Sequence, residues 1–226
     1  MAQIINYGYL KQTWDGLLAF INNEYGVAGL MGNLYAESGV IPFRVQGDYT
    51  YPFTYSSDYT ARVDNGTVSE YSFVNLAPDS THAKGYGMAQ WTSQGRKQNL
   101  YNFYKNVPFS SIGGLDLALY MLQFELSGSY APTLAVLQSA TDIATASDYV
   151  LIHFEAPKDQ SEAVKILRRD YSQQIYDLYN SGGGQPDPPT PTPPPPPYPP
   201  TPTEPSGLPV WMMCGKNRFR YNIRKS

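Results

Sequence analysis

The chain has 226 residues, including 20 prolines and 20 tyrosines, and its 16 basic and 19 acidic side chains leave a net charge of −3. Once the proline-rich stretch near the end is set aside, that length leaves material for one domain, and an acidic body speaks against nucleic acid as a partner. A single cysteine, Cys214, excludes an internal disulfide framework and any multi-cysteine zinc site.

The first residues, MAQIINYGYLKQTWDGLLAF, carry no basic leader, and Lys11, Gln12 and Asp15 interrupt their apolar run. They read as neither a secretory signal nor a membrane span, so synthesis in a cytoplasm without a signal peptide is expected. Leu10, Trp14, Leu17, Leu18 and Ile21 instead recur at helical spacing and predict an amphipathic helix. Val27, Leu30, Met31 and Leu34 predict a second, which stops at Gly39, a residue suited to a helix C-terminus. From Val40 to Lys84 the helical period disappears, and Pro42, Gly47, Pro52, Gly66 and Pro78 punctuate a tyrosine-rich stretch. A long loop or small β-element is expected there, forming one wall of a binding cleft, since structureless loops of that length are uncommon unless functional. The excess of tyrosine suits either stacking on sugar rings or loops ordered by their own aromatics.

Helical patterns return after Gly95 in RKQNLYNFYKNV, and again in Leu115, Ala118, Leu119, Leu122 and Leu126. Later stripes are Ile143, Ala146, Val150 and Phe154, then Val164, Leu167, Tyr171, Ile175 and Leu178. The expected fold class is therefore α+β but mainly α, with one long irregular or β insert. Residues 1–181 form the domain, 182–209 a Gly/Pro-rich spacer held extended by its prolines, and 210–226 a short apolar and basic tail. The tail holds Lys216, Arg218, Arg220, Arg224 and Lys225 and suits docking on a partner, a membrane surface or an anionic polymer.

The stretch YGVAGLMGNLYAESG carries the chemistry, because Glu37 extends the stripe of Val27, Leu30, Met31 and Leu34 by one more i+3 step. That spacing puts a carboxyl on the apolar side of a helix end, where burial and the partial negative charge of the C-terminus both oppose ionisation and keep a proton available. The same spacing also allows Glu37 to turn outward at a frayed end. Thiol chemistry does not fit, since Cys214 lies in a tail without histidine. Zinc chemistry does not fit either, since His82 and His153 are far apart and in no His-Glu-x-x-His spacing.

GLMGNLYAESG, followed downstream by GYGMAQWTSQGRKQNLYNF, resembles the phage tail lysozyme family, a branch of the lysozyme-like superfamily with goose-type lysozymes and soluble lytic transglycosylases. The insert DYTARVDNGTVSEYSFVNLAPDS resembles longer-loop members from phages and prophages of clostridia and relatives. DLALYMLQFELSGSY and VLIHFEAPKDQSEAVKILRRDY resemble the family's later helices, so the likeness covers roughly residues 10–180. It implies a lysozyme-like fold, no cofactor or metal, and bacterial peptidoglycan as substrate, cut between N-acetylmuramic acid and N-acetylglucosamine.

By that resemblance Glu37 is the general acid, Ser38 beside it contacts substrate, and Gln90 of the Gly-x-x-Gln segment Gly87 to Gln90 contacts sugar or positions water across a cleft. Tyr86 and Trp91 flank this segment and either stack on a saccharide or pack beneath it. For a second carboxylate the insert offers Asp48, Asp58, Asp64, Glu70 and Asp79. Asp79 is the choice, because the family shows a similar aspartate shortly before the second motif, although each of these acids also reads as a turn or capping residue. These acids favour hydrolysis over the transglycosylase reaction, in which the substrate's own hydroxyl attacks and leaves a 1,6-anhydro sugar. A glycan-binding or structural virion protein without catalysis is the alternative of another class. Delivery follows release by lysis or assembly into a virion, with the tail docking on a phage tail, another assembly or a wall polymer.

Overall fold

The computed structural model describes residues 3–180; the segments expected to be a spacer (182–209) and a tail (210–226) lie outside the described residues. In chain order the α-helices are α1 (Leu10–Ile21), α2 (Glu24–Ser38), α3 (Thr54–Asp64), α4 (Glu70–Asn75), α5 (Gln94–Asn106), α6 (Leu115–Ser127), α7 (Ala131–Gln138), α8 (Ile143–Val150) and α9 (Glu162–Asn180). A single π turn, Leu151–Glu155, prolongs α8. No helix among the described residues is long and apolar enough to cross a membrane.

Two asparagines make the corner between the first two helices. Asn22 adopts the left-handed conformation (φ 57°) and returns its N–H to Leu18 O, and the Asn23 side chain accepts the N–H of Gly26 at 3.0 Å. The chain thereby turns straight into α2, which packs against α1, α7, α8 and α9. Every residue from Gly26 to Leu34 is buried, so α2 is covered on all sides and a one-sided stripe understates it.

Small residues make this possible. A Cβ added at Gly26 would stand 2.1 Å from Leu137 O, at Gly29 2.6 Å from Ala146 Cβ, and at Gly32 2.0 Å from Ser172 Oγ. Three neighbouring helices thus touch the α2 backbone itself. Asn33, buried among them, donates its Nδ2 to Gly29 O at 2.8 Å and to Ser147 O at 3.0 Å, which joins α2 to α8.

The helices expected from periodicity are present, with two corrections. The residues of α9 that face the core are Arg168, Ser172 and Ile175, whereas Leu167 is 41% exposed and Val164, Tyr171 and Leu178 are only half-buried. The backbone approach at Gly32 requires a small partner, which Ser172 supplies and a leucine would not. The second correction concerns the insert, which holds no β-element. It folds as α3 and α4, and the bridges found among the described residues are the isolated pairs Val45 with Tyr86 and Tyr86 with Trp91. Asp48 accepts the N–H of Ser56 at 3.0 Å near the start of α3, Ser69 caps α4, and Tyr59, Val63, Phe73 and Val74 enter the core. Each helix is too short to print a visible period between the prolines and tyrosines. Helix α7 prints no stripe either, because it buries only Thr133 and Leu137.

The close approach at Gly32 has a measurable cost. Gly32→Ala is expected to destabilise the protein by about 1–3 kcal/mol through overpacking against Ser172. Gly95→Ala in α5, where an added Cβ meets nothing within 4 Å, is expected to stabilise by up to about 1 kcal/mol. Urea unfolding of both variants beside the parent checks the opposite signs.

Candidate active site

Helix α2 ends where its cover ends. Gly39 takes the left-handed conformation (φ 69°) and returns its N–H to Tyr35 O at 2.7 Å, which leaves Glu37 and Ser38 as the last two helical residues. Two arginines answer the partial negative charge of this terminus. Arg44 donates Nη1 to Ser38 O at 3.1 Å, and Arg168 donates Nη1 to Asn33 O at 3.0 Å. Arg168 also donates Nη2 to Glu37 Oε1. The guanidinium side chain is 9% exposed and the carboxylate side chain 23%. Glu37 therefore does not sink into the apolar face of α2, as its spacing implies; it emerges at the helix end and partners a buried cation.

The second motif folds as a tight turn against this end. Tyr86 and Trp91 exchange backbone bonds (Trp91 N to Tyr86 O at 2.9 Å, Tyr86 N to Trp91 O at 3.2 Å), with Gly87 at φ 80° and Gln90 at φ 46° between them. A Cβ at Gly87 would lie 2.7 Å from Trp91 Cζ3, so glycine is required there by conformation and by space. Ser38 donates its Oγ to Met88 O at 2.7 Å, joining the residue next to Glu37 directly to the turn. Gln90 closes the turn with its own amide, donating Nε2 to Gly87 O at 2.9 Å and to Arg44 O at 3.2 Å.

The aromatic pair flanking the motif packs. Trp91 is fully buried and donates Nε1 to Glu125 Oε2 at 3.0 Å. Tyr86 is 1% exposed, its hydroxyl 2.7 Å from Thr60 Oγ1 and its ring edge-on to Phe73. Neither offers a ring face to a sugar. Ser38, likewise buried, staples the turn to the helix.

Between the helix end and the turn lies a cleft of about 220 Å³, lined by Glu37, Gln46, Gln90, Arg96 and Glu155 among others. Of the residues singled out from sequence, the cleft brings Glu37 and Gln90 together. Glu155 is the residue that sequence reasoning missed. The π turn carries one residue more than an α-helical turn, and Ala156 (φ 45°) closes it with its N–H on Leu151 O at 2.9 Å. Phe154 is thus kept in the core while Glu155 meets the cleft. Its Oε1 is buried without a hydrogen-bond partner. Burial, and after it the negative charge of Glu37, push its carboxyl up to about 8 against the opposing pull of Arg96 and Arg168. Arg96 is engaged elsewhere, donating Nε and Nη2 to the two oxygens of Glu125 at 2.6 and 2.7 Å. The only signal was in VLIHFEAP, a glutamate directly after a stripe residue at a helix end; the i+3 step that singled out Glu37 does not reach it.

Of the insert's carboxylates, Asp48 and Asp79 bond within the insert, and Asp64 and Glu70 tie it to the rest of the fold. Asp79 accepts from the Tyr55 hydroxyl at 2.5 Å, from the backbone N–H groups of Thr81 and His82 at 2.8 and 2.9 Å, and meets His82 Nδ1 at 2.9 Å. These bonds, Tyr55 first and His82 next, hold it well below the usual carboxylate range, and the His82 and Tyr55 rings stack at 3.8 Å. Asp64 takes Ser111 Oγ at 2.6 Å and Ile112 N at 2.8 Å, and Glu70 takes Gln98 Nε2 at 2.7 Å. None of Asp48, Asp58, Asp64, Glu70 and Asp79 lines the cleft. Among the described residues no group of three or more His, Cys, Asp or Glu is placed to hold a metal ion.

A family model described as phage tail lysozyme matches residues 9–179, from the residue before α1 to the penultimate residue of α9. No curated protein and no solved structure matches the chain.

The state of Glu155 sets a pH dependence. A carboxyl raised from 4.5 to about 8 by folding keeps more protons in the folded than in the unfolded chain between those values. Its contribution is fully present at acid pH and is lost as pH rises through that window. Glu155→Gln is expected to flatten this part of the pH dependence and to raise the unfolding temperature at pH 8 by several degrees, with little change at pH 4. Calorimetry of both proteins at the two pH values measures it.

Proposed function

The chain belongs to the phage tail lysozyme family, and on that premise we propose that it cuts the glycan strands of bacterial peptidoglycan by general acid catalysis in the cleft that Glu37 lines. The bond concerned is the β-1,4 link between N-acetylmuramic acid and N-acetylglucosamine. One observation carries the reading: a carboxyl at the end of a helix buried from Gly26 to Leu34 opens into a cleft that also holds Gln90 and a second carboxyl, Glu155.

Glycoside cleavage asks for these parts. The departing oxygen needs a proton as its bond to C1 breaks, and the positive charge developing on the sugar ring is stabilised by nearby carboxylate. Glu37 is the donor in this reading. Rigidity supports it, because Arg168 and the packing of α2 fix the carboxyl before substrate arrives. The Gln90 Nε2 is already engaged with two carbonyls, which leaves its amide oxygen to meet a sugar hydroxyl or a water. Water then attacks C1 and leaves a reducing N-acetylmuramic acid, a course supported by two carboxyls on one cleft. Asp79 is not given a part, since its oxygens are occupied by Tyr55, Thr81 and His82. The segment 182–226 extends the proposal to delivery, as a spacer and a docking tail for a phage tail or a wall polymer.

Glu37→Gln keeps the shape of the cleft and removes the acid. It is expected to lower release of soluble fragments from purified peptidoglycan by about a hundredfold or more, and equal release by the variant and the parent overturns the catalytic assignment. Mass spectrometry of the fragments is expected to show reducing muramic ends; ends lighter by one water would mark internal attack and a transglycosylase.

A further inference from the structure

The charged groups acting on Glu155 come from four helices: Glu37 of α2, Arg96 of α5, Glu125 of α6 and Arg168 of α9. Four of these five groups are already matched in pairs, Arg168 with Glu37 and Arg96 with Glu125. Glu155 is the third carboxyl beside two guanidiniums, and its Oε1 is buried without a hydrogen-bond partner. His153 on the same turn is exposed and stacks on Tyr149 at 4.1 Å, so it offers Glu155 no compensation.

A buried carboxyl with no matching cation is least costly as the neutral acid, and two carboxyls facing one cleft resist ionising together. We propose that Glu37 and Glu155 share one proton, which Glu155 holds between turnovers and passes to Glu37 when a glycan strand occupies the cleft. The inference rests on the glycosidase reading above and names the source of the acid's proton. That Glu155 is raised to about 8 agrees with it.

The steps balance. The proton moves from the Glu155 carboxyl to the Glu37 carboxylate, directly or over one water, leaving Glu155 ionised. Glu37 gives it to the glycosidic oxygen as the C1–O bond breaks and its electron pair goes to the leaving sugar. Both carboxylates then carry charge while the ring is an oxocarbenium ion, whose positive charge adds to that of Arg96 and Arg168 and balances the second carboxylate. The attacking oxygen bonds to C1 and releases its proton to the pair, restoring the state of one shared proton. Glu155 acts through Glu37 and is a positioning residue for the proton.

The test compares the full chain with its Glu155→Gln and Glu37→Gln variants in wall-fragment release across pH 4.5 to 9, beside infrared spectra of the carboxyl region. The parent is expected to lose activity with an alkaline limb near pH 8. Glu155→Gln is expected to lose about a hundredfold at pH 7, and to recover toward the parent as pH falls and solvent supplies the proton that Glu155 otherwise holds. A purely structural glutamate would lower activity equally at all pH values.

The infrared band of a neutral carboxyl is expected in the parent at pH 7 and absent from Glu155→Gln. In Glu37→Gln it is expected to titrate at lower pH, because the repelling charge is gone; this arm stands even where Glu155→Gln fails to fold. Glu155→Gln with the parent's pH profile, or a neutral-carboxyl band that survives in it, overturns the inference. A parent that releases fragments while Glu37→Gln does not, with Glu155→Gln unchanged, overturns the inference and leaves the glycosidase reading intact. Equal release by the parent and Glu37→Gln overturns both.

Discussion

The architecture depends on how closely other backbones approach α2. Glycine at 26, 29 and 32 removes three side chains from one helix, and α7, α8 and α9 come in until their own atoms occupy the space a Cβ would take. The stretch of α2 from Gly26 to Leu34 is covered on every side, and beyond it the helix surfaces again at its C-terminus. There the unpaired carbonyls and the carboxyl of Glu37 concentrate negative charge. Arg44 and Arg168 meet it from the insert and from α9. Arg168 can do so only because the glycine and serine contact sets α9 this near to α2. The packing that stabilises the domain is therefore the packing that delivers the cation to Glu37.

Charge matching around the cleft follows from that arrangement. Arg168 answers Glu37 and Arg96 answers Glu125, while Trp91 adds its indole N–H to Glu125. A buried polar atom left without a partner costs about 1–3 kcal/mol, and Glu155 Oε1 is such an atom. Thr13 Oγ1, Asn33 Oδ1 and Arg168 Nε are the others on buried side chains among the described residues. Two of these, Asn33 and Arg168, stand in the chain of contacts that leads to Glu37. Unsatisfied groups thus gather along the route from the centre of α2 to the cleft, where a site that must bind and release substrate tolerates what a resting core does not.

Much of the fold was legible because most helices print their period. Leu10 to Ile21 and Leu115 to Leu126 each bury one face against a neighbour, and the structure keeps both. What escaped did so for identifiable reasons. The insert's helices are short and polar and lie between prolines, so Tyr59 with Val63, and Phe73 with Val74, gave too few points to define a period. On α9 the apolar residues marked only the edge of the buried face, which Ile175 shares, because a helix seated on a glycine is centred on its serine and arginine instead. The motifs of the site, Glu37 with Ser38 and Gly87 to Gln90, were visible as residue patterns. Their junction through Ser38 and Met88 was not, because a hydroxyl donating to a distant backbone carbonyl leaves no mark in sequence.

Glu155 shows where reading by spacing stops. Its helix follows an α-helical stripe through Ile143, Ala146, Val150 and Phe154, and then one extra residue enters the last turn. That insertion rotates the end of the helix, so a glutamate that an unbroken helix would place by its period is placed by the irregularity. Such turns strain the backbone, here expressed in a non-glycine residue at positive φ directly after it. The strain and the unpartnered oxygen fall on neighbouring residues at the edge of a cleft, and both burden the folded state. Either burden alone could be eased by a small change, since glutamine at 155 removes the ionisable group and glycine at 156 relieves the backbone. Their coincidence opposite Glu37 is what ties them to the chemistry of the cleft rather than to the stability of the helix that carries them.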